Sequence, residues 1–527
     1  MTIPRAWQAR ELTPIAAIIA LPVLALGLWL RVIALGRGGF WLDEIYSASF
    51  ANLSALGTVI AVFLYDPHPP LYYLQLNLWG RLGHGDLWLL LNSVSWSVAT
   101  LLAVFLGTTR RFGALCGVVA MSFCAVMGSE IFFADELRMY AMYGCLSVLS
   151  WIAACRLRTD YRFRTAIPLV VILAFMGAIH SASILGASAA LLYALPEASG
   201  QQFRRHLPTW VGIAALVACT YLPWMVNASF RHVAHTAAPT LQSASHTISG
   251  WIIGYGDAPW PAWARPATTV VVAAILIAIT LKLPTLRRLV VCFIAWPLFF
   301  AAVLSFTVQP IWLDRTFAFC APFVAVVYGV AMGGLLSQLG SEKSRTALYS
   351  AIGLVAAATA GGAWLAYVQV TTPYKPDHYR ELARYLTQRV KPGEVIYAPD
   401  PATFWGVSRY LMGPDWGTIF QVQDPAELSQ LKKWQRLYAM LGPTKAARLG
   451  LLPAGRRLDS FRVPMFIGSS PLPGLAGVTA VWLLVSDDMP MDDLRSCGGQ
   501  LPAPVAFGRL LAYRVECPLV LDSAGAR

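Results

Sequence analysis

Charge is scarce in this chain. Asp, Glu, Lys and Arg make up only 13% of its 527 residues, where a soluble globular domain carries about 25%. A deficit of that size excludes an ordinary soluble enzyme. Acidic residues are the scarcer kind, 27 against 40 basic ones, for a formal net charge of +13. In a soluble protein such a balance points to nucleic acid. Here the basic residues fall mostly in short loops between apolar runs, so the orientation of membrane spans explains them and no nucleic-acid partner is implied. No Cys-x-x-Cys motif, internal repeat or low-complexity tract occurs. The first apolar run, near Thr13–Ala34, lacks a small-residue cleavage site and reads as an uncleaved span.

What is abundant is apolar. Hydrophobic residues reach 57%, with 19 Trp and 24 Phe, and the mean hydropathy is +0.57. Seven of the nine cysteines, Cys116, Cys124, Cys145, Cys155, Cys219, Cys292 and Cys320, lie in or beside apolar segments and read as small buried hydrophobes. Cys497 and Cys517 lie in a polar tail, where an oxidising compartment would let them form one disulfide.

A span needs roughly 20 apolar residues. Runs of that kind fall near 13–34, 87–108, 113–133, 139–155, 165–180, 183–197, 209–227, 267–283, 289–307, 316–336 and 347–370. The fold class expected is therefore mainly α, a polytopic bundle of about eleven transmembrane helices. With the N-terminus inside, pairs such as Arg110-Arg111, Arg204-Arg205 and Arg287-Arg288 fall on the cytoplasmic side. Single residues such as Arg31, Arg81, Arg138 and Arg315 fall outside, the expected bias. This works only if the stretch 69–84, opened by Pro69-Pro70, lies at the interface instead of crossing. Residues 1–370 then form the membrane domain, with long outer loops at 37–86 and 228–264. Residues 371–527 change composition, with strand-like runs such as Val478–Val485, and read as an α/β extramembrane domain on the outer side.

Ionisable residues at a membrane face are costly and default to functional candidates. Four clusters fall on the outer side. Trp41-Leu42-Asp43-Glu44 follows span one, and adjacent carboxylates beside an apolar wall can split their pKa values and leave one as a base. Alone, the pair would read as a solvated loop. Tyr65-Asp66-Pro67-His68-Pro69-Pro70 fixes the backbone before the interfacial helix and sets His68 at headgroup level; the plain alternative is a rigid turn. Asp135-Glu136-Leu137-Arg138-Met139-Tyr140 joins spans three and four, either as a site or as a loop-closing ion pair. Asp314-Arg315 enters span ten, where Arg offers bidentate recognition of phosphate or simply snorkels. His180, at the outer end of span five, is more often a satisfied core histidine. Together these groups suit a substrate with an apolar tail and a phosphate head.

The order Trp-Leu-Asp-Glu, His-Pro-Pro-Leu-Tyr-Tyr and Glu-Leu-Arg-Met-Tyr resembles the GT-C membrane glycosyltransferases over about the first 340 residues. It is most similar to the RgtA-like branch, related to protein O-mannosyltransferases and to the lipid A aminoarabinose transferase. The resemblance implies a glycosyltransferase that moves a hexose or pentose from a polyprenyl-phosphate donor to an acceptor hydroxyl, with inversion, on the periplasmic face of a bacterial inner membrane. The acceptor would be a lipid, a glycan or a protein, with membrane lipids around it. Asp43 would be the base, with Glu44 orienting it or binding sugar. His68, Glu136, Arg138, Tyr140, His180 and Arg315 would bind the donor phosphate and sugar. His68 stands where the aminoarabinose branch has Lys, and Asp135 where Gln is more common. Some relatives use a divalent metal and others do not; Asp43, Asp135 and Glu136 are the candidate ligands, and no organic cofactor is implied. Two other readings stand beside this one. A transporter or flippase would need repeats and midplane charges, which are lacking. A non-catalytic assembly subunit would tolerate loss of Asp43.

Overall fold

The computed structural model describes residues 14–33, 35–36, 38–196, 200–229, 238–255, 260–341, 345–372, 375–398, 401–412, 457–458, 465–467, 479–487, 494–495, 502–516 and 520–521. Cys497 and Cys517 lie outside the described residues.

The helices, in chain order, are α1 (Pro14–Val32), α2 (Leu42–Ala51), α3 (Ala55–Tyr65), α4 (Leu71–Gly80), α5 (Asp86–Phe112), α6 (Ala114–Val126), α7 (Gly128–Phe132), α8 (Tyr140–Thr159), α9 (Phe163–Ile179), α10 (Ile184–Ala194), α11 (Gly200–Ser229), α12 (Leu241–Ile253), α13 (Ala264–Lys282), α14 (Pro284–Val290), α15 (Trp296–Thr307), α16 (Ala321–Ser341), α17 (Arg345–Thr371), α18 (Tyr379–Arg389) and α19 (Pro401–Met412). The strands are β1 (Glu394–Ala398), β2 (Arg457–Leu458), β3 (Met465–Ile467), β4 (Ala480–Ser486), β5 (Leu494–Arg495), β6 (Val505–Phe507), β7 (Leu510–Val515) and β8 (Val520–Leu521). By internal contacts the chain divides into Met1–Leu35, Asp66–Tyr72 and Leu90–Pro373 as one unit, and Gly36–Tyr65, Tyr73–Leu89 and Tyr374–Arg527 as the other.

The first unit is a helix bundle. Among the described residues seven helices are long and apolar enough to cross a membrane, or eight if Ala114–Val126 and Gly128–Asp135, bent by 60°, count as one span. Three shorter apolar helices, Ile18–Val32, Phe163–Ile179 and Ser181–Ala194, occupy the remaining expected positions. Large apolar side chains such as Val270, Phe299 and Leu354 are exposed on the outside of the long helices, as lipid contact requires. The helix at 69–84 is α4, ten residues long and too short to span.

The bend at Met127 has a definite internal support. A helix that stops leaves its last carbonyls without intrahelical donors. Arg31, on α1, is fully buried and supplies them: its guanidinium donates to the carbonyls of Ala125 at 3.0 Å and Cys124 at 3.4 Å, and to Ser97 Oγ at 2.7 Å. The sequence places Arg31 among outer flanking charges; the structure makes it an interior pin. Past the bend, Gly128 lies against Gly254 and the Gln369 amide, so closely that a Cβ on Gly128 would come within 2.3 Å of the Gly254 nitrogen. Gly254 ends α12 at φ +79°, a conformation glycine adopts without strain.

The second unit carries a six-stranded mixed sheet in the order β2-β3-β1-β4-β7-β6. β1 runs parallel to β3 and β4, while β4–β7 and β6–β7 are antiparallel. The first six residues of β4, Ala480–Val485, are all buried, the pattern of a central strand covered on both faces. Tyr385 of α18 stacks edge-on against Trp482, with ring centroids 5.9 Å apart. Buried Glu394 ties the centre together by accepting from Trp482 Nε1 at 2.8 Å and Arg514 Nη2 at 2.7 Å.

Candidate functional site

The first unit gathers four of the expected residues at places where helices stop. His68 follows Asp66, whose carboxylate accepts the His68 N–H at 2.7 Å, and precedes Pro69-Pro70, which cannot donate and mark the start of α4. His180 lies between α9 and the 3₁₀ turn Ser181–Ser183. Arg138 lies in the non-helical link between the turn Phe133–Asp135 and α8. Arg315 lies in the 3₁₀ turn Asp314–Cys320 that precedes α16. Irregular backbone at this depth is tolerated where protein buries it or where it lines a cavity.

The two imidazoles are neighbours. Their ring centroids are 4.4 Å apart, and His68 Nδ1 is 3.1 Å from Ser181 Oγ. His180 Nδ1 accepts the Ala182 N–H at 2.9 Å, so a neutral ring carries its proton on Nε2. Tyr143 lies nearly parallel to His180, with centroids 5.6 Å apart and an interplanar angle of 12°. Tyr140 lies at the same centroid distance, tilted. Burial, followed by the nearby charges of His180, Arg138 and Arg315, holds the His68 imidazole well below its ordinary value. Two guanidinium groups and two imidazoles thus share one electrostatic neighbourhood.

Glu136 and Asp135 are buried in the same link. The Glu136 carbonyl accepts from Ser93 Oγ at 2.6 Å and from the Arg138 N–H at 2.8 Å, which fixes the backbone that presents Arg138. Among the described residues no group of three or more His, Cys, Asp or Glu could hold a metal ion. Asp314 is engaged elsewhere: Oδ1 accepts from Thr247 Oγ1, and Oδ2 pairs with His246 Nδ1, each at 2.5 Å. That pairing was invisible in the sequence, where 228–264 read as a long loop; His246 instead lies on α12.

The second unit holds Asp43 and Glu44 in the first turn of α2. Carboxylates are favoured there by the unsatisfied N–H groups of the helix start. The two differ in setting. Asp43 is half-buried. Glu44 is fully buried: Oε1 pairs with Lys375 Nζ at 3.0 Å, and Oε2 accepts the Trp41 N–H at 3.0 Å, the returning half of a helix cap. Lys375 was not singled out by sequence, since it is one of many basic residues in the tail. The preceding residues are also held. Tyr410 Oη accepts the Phe40 N–H at 2.6 Å and donates to Asp86 at 2.8 Å. Arg409 pairs with Asp86 at 2.7 Å, and its guanidinium lies over the Phe40 ring, 4.7 Å from the centroid.

No protein-family model and no curated protein sequence matches the chain. Solved structures do. ArnT from Cupriavidus metallidurans in the apo state aligns with a TM-score of 0.56 at 14% identity, over 95% of this chain and 98% of that one. The same protein bound to undecaprenyl phosphate aligns with a TM-score of 0.56 at 12% identity, over 94% and 97%. The likeness spans both the helix bundle and the sheet-bearing region, so this chain has the fold that ArnT displays.

Proposed function

We propose that this chain is a glycosyltransferase that takes a hexose or pentose from a polyprenyl-phosphate donor and places it on an acceptor hydroxyl. Its acceptor is a lipid, a glycan or a protein. The reaction takes place at the periplasmic face of a bacterial inner membrane, and residues 371–527 form a periplasmic domain. The observation that carries the reading is the grouping of Arg138, Arg315, His68 and His180. Two guanidinium groups with two imidazoles that strongly prefer to be neutral make a positive pole. A phosphate is the anion such a pole suits, since Arg binds it through paired charge-assisted hydrogen bonds. The fold adds support, because one of its solved examples is bound to undecaprenyl phosphate.

In this reading Asp43 takes the proton from the acceptor hydroxyl. The acceptor oxygen attacks the anomeric carbon from the face opposite the phosphate. The bond between that carbon and the phosphate oxygen breaks, and its electron pair leaves with polyprenyl phosphate. Arg138 and Arg315 offset the charge that grows on the departing phosphate. A phosphate is already a stable anion, so no strong acid is needed. The sugar is inverted because attack and departure lie on opposite faces.

Asp43→Asn tests the assignment. General base catalysis contributes roughly 10²–10⁴-fold, so turnover against a panel of undecaprenyl-phosphate hexoses and pentoses should fall by at least the lower figure. Retained turnover with the preferred donor would remove Asp43 from the chemistry.

A further inference from the structure

We propose that Lys375 and Asp377, from the segment that follows the last membrane helix, are positioning residues for Asp43 and complete the site that its loop forms. The proposal rests on the reading of Asp43 as the base. Three contacts carry it. Lys375 and Glu44 form an ion pair with side chains 3% and 0% exposed, so water meets neither charge. Burying two charges is costly, and removing one partner of such a pair strands the other. Glu44 is the residue after Asp43, and its second oxygen holds the Trp41 N–H, so the pair fixes the helix start on both sides of Asp43. The Lys375 side chain also packs against Gly38, where a Cβ would lie 3.5 Å from it.

Asp377 acts on the same turn. Its carboxylate pairs with Arg509 at 2.9 Å and lies within electrostatic reach of Leu42 and Asp43. Arg509 is anchored in turn, since its N–H donates to the Pro376 carbonyl at 3.1 Å. Burial pushes the Asp377 carboxyl up, the Arg509 charge and the Leu42 N–H pull it down, and the nearby charge of Asp43 pushes it up again. Asp377 therefore sets a negative charge near the proposed base, tempered by Arg509. Two further contacts hold the loop ahead of it: Arg380 Nη2 donates to the Gly36 carbonyl at 2.8 Å, and the Phe40 N–H donates to Tyr410 Oη. The arrangement supplies what a base needs, a backbone that cannot drift by the ångström that costs about 10²-fold in rate.

The test uses the full chain in nanodiscs. Lys375→Met, Lys375→Arg and Asp377→Asn are compared with Asp43→Asn for turnover of the donor that the unsubstituted chain prefers. Binding of undecaprenyl phosphate is measured in parallel. Lys375→Met should lower kcat about 100-fold while undecaprenyl phosphate binds within about threefold of the original Kd, a shift under 1 kcal/mol. Lys375→Arg, which keeps the charge, should recover at least a tenth of the lost activity, which a merely structural defect would not predict. Asp377→Asn should lower kcat with the donor KM little changed, and it serves where Lys375→Met does not fold. Full turnover in both Lys375→Met and Asp377→Asn, beside an inactive Asp43→Asn, would overturn the positioning role and leave the base in place. Full turnover in Asp43→Asn would overturn the reading of the base itself. Loss of phosphate binding in step with turnover would likewise count against positioning.

Discussion

The setting of His68 decides its charge. Buried beside His180 and under the charges of Arg138 and Arg315, it is held neutral. A histidine whose value is lowered on folding binds its proton more readily in the unfolded chain. Its contribution to stability is therefore intact above the unfolded value of about 6.5 and is lost as pH falls below that, at up to about 1.4 kcal/mol per pH unit. Thermal unfolding in detergent between about pH 7 and about pH 5 should show a steep loss that His68→Gln flattens; equal slopes in the two proteins would contradict the account. The residues of this cluster were legible in the sequence because a charged or imidazole side chain stands out in apolar surroundings. Lys375 and Asp377 were not, since in a polar tail one Lys or Asp looks like the next. Only the fold identifies the partner that Glu44 requires. The sequence set Asp43 and Glu44 apart by expected role, and the structure gives them unlike settings, one half-buried and the other sealed.

Among the elements, the informative ones are the places where helices fail to continue. The periodicity of apolar runs placed helices at all eleven expected positions, because burial in lipid demands long apolar segments and little else. It gave no warning of the 60° bend between α6 and α7, since Met127-Gly128 is apolar like its surroundings. The bend exists because distant groups accommodate it: Arg31 satisfies the carbonyls that α6 leaves open, and Gly128 admits the backbone of Gly254. Arg31→Met keeps the length of the side chain and removes every donor. At about 1–3 kcal/mol for each buried group left unsatisfied, the substitution should cost at least about 2 kcal/mol, visible as a lower midpoint of thermal unfolding. An unchanged midpoint would mean that the bend holds itself. In the other unit the strand expected at Val478–Val485 is β4, displaced by two residues at its start. A continuous apolar run marks a central strand well and its ends poorly.

For the molecule as a whole, composition alone excluded a soluble enzyme, and the charge bias of the loops supplied an orientation. That orientation predicts which residues a membrane-impermeant maleimide can reach in intact, outer-membrane-permeabilised cells. Lys391→Cys, on the exposed turn before β1, should label, while Lys282→Cys, at the end of α13, should label only after lysis. The reverse pattern would invert the proposed topology. The division of labour between loop and tail was not legible, because residues 36–65 and 73–89 pack with residues after 374 across more than half the chain. The pairing of Glu44 with Lys375 spans 331 positions, and that distance has a consequence in time. At roughly 5–20 residues per second, a ribosome takes on the order of tens of seconds to make the lysine after it has made the glutamate. Through that interval Glu44 lacks the ammonium it pairs with in the finished fold. The buried ion pair, and the helix start it fixes, can thus form only once the tail has been synthesised.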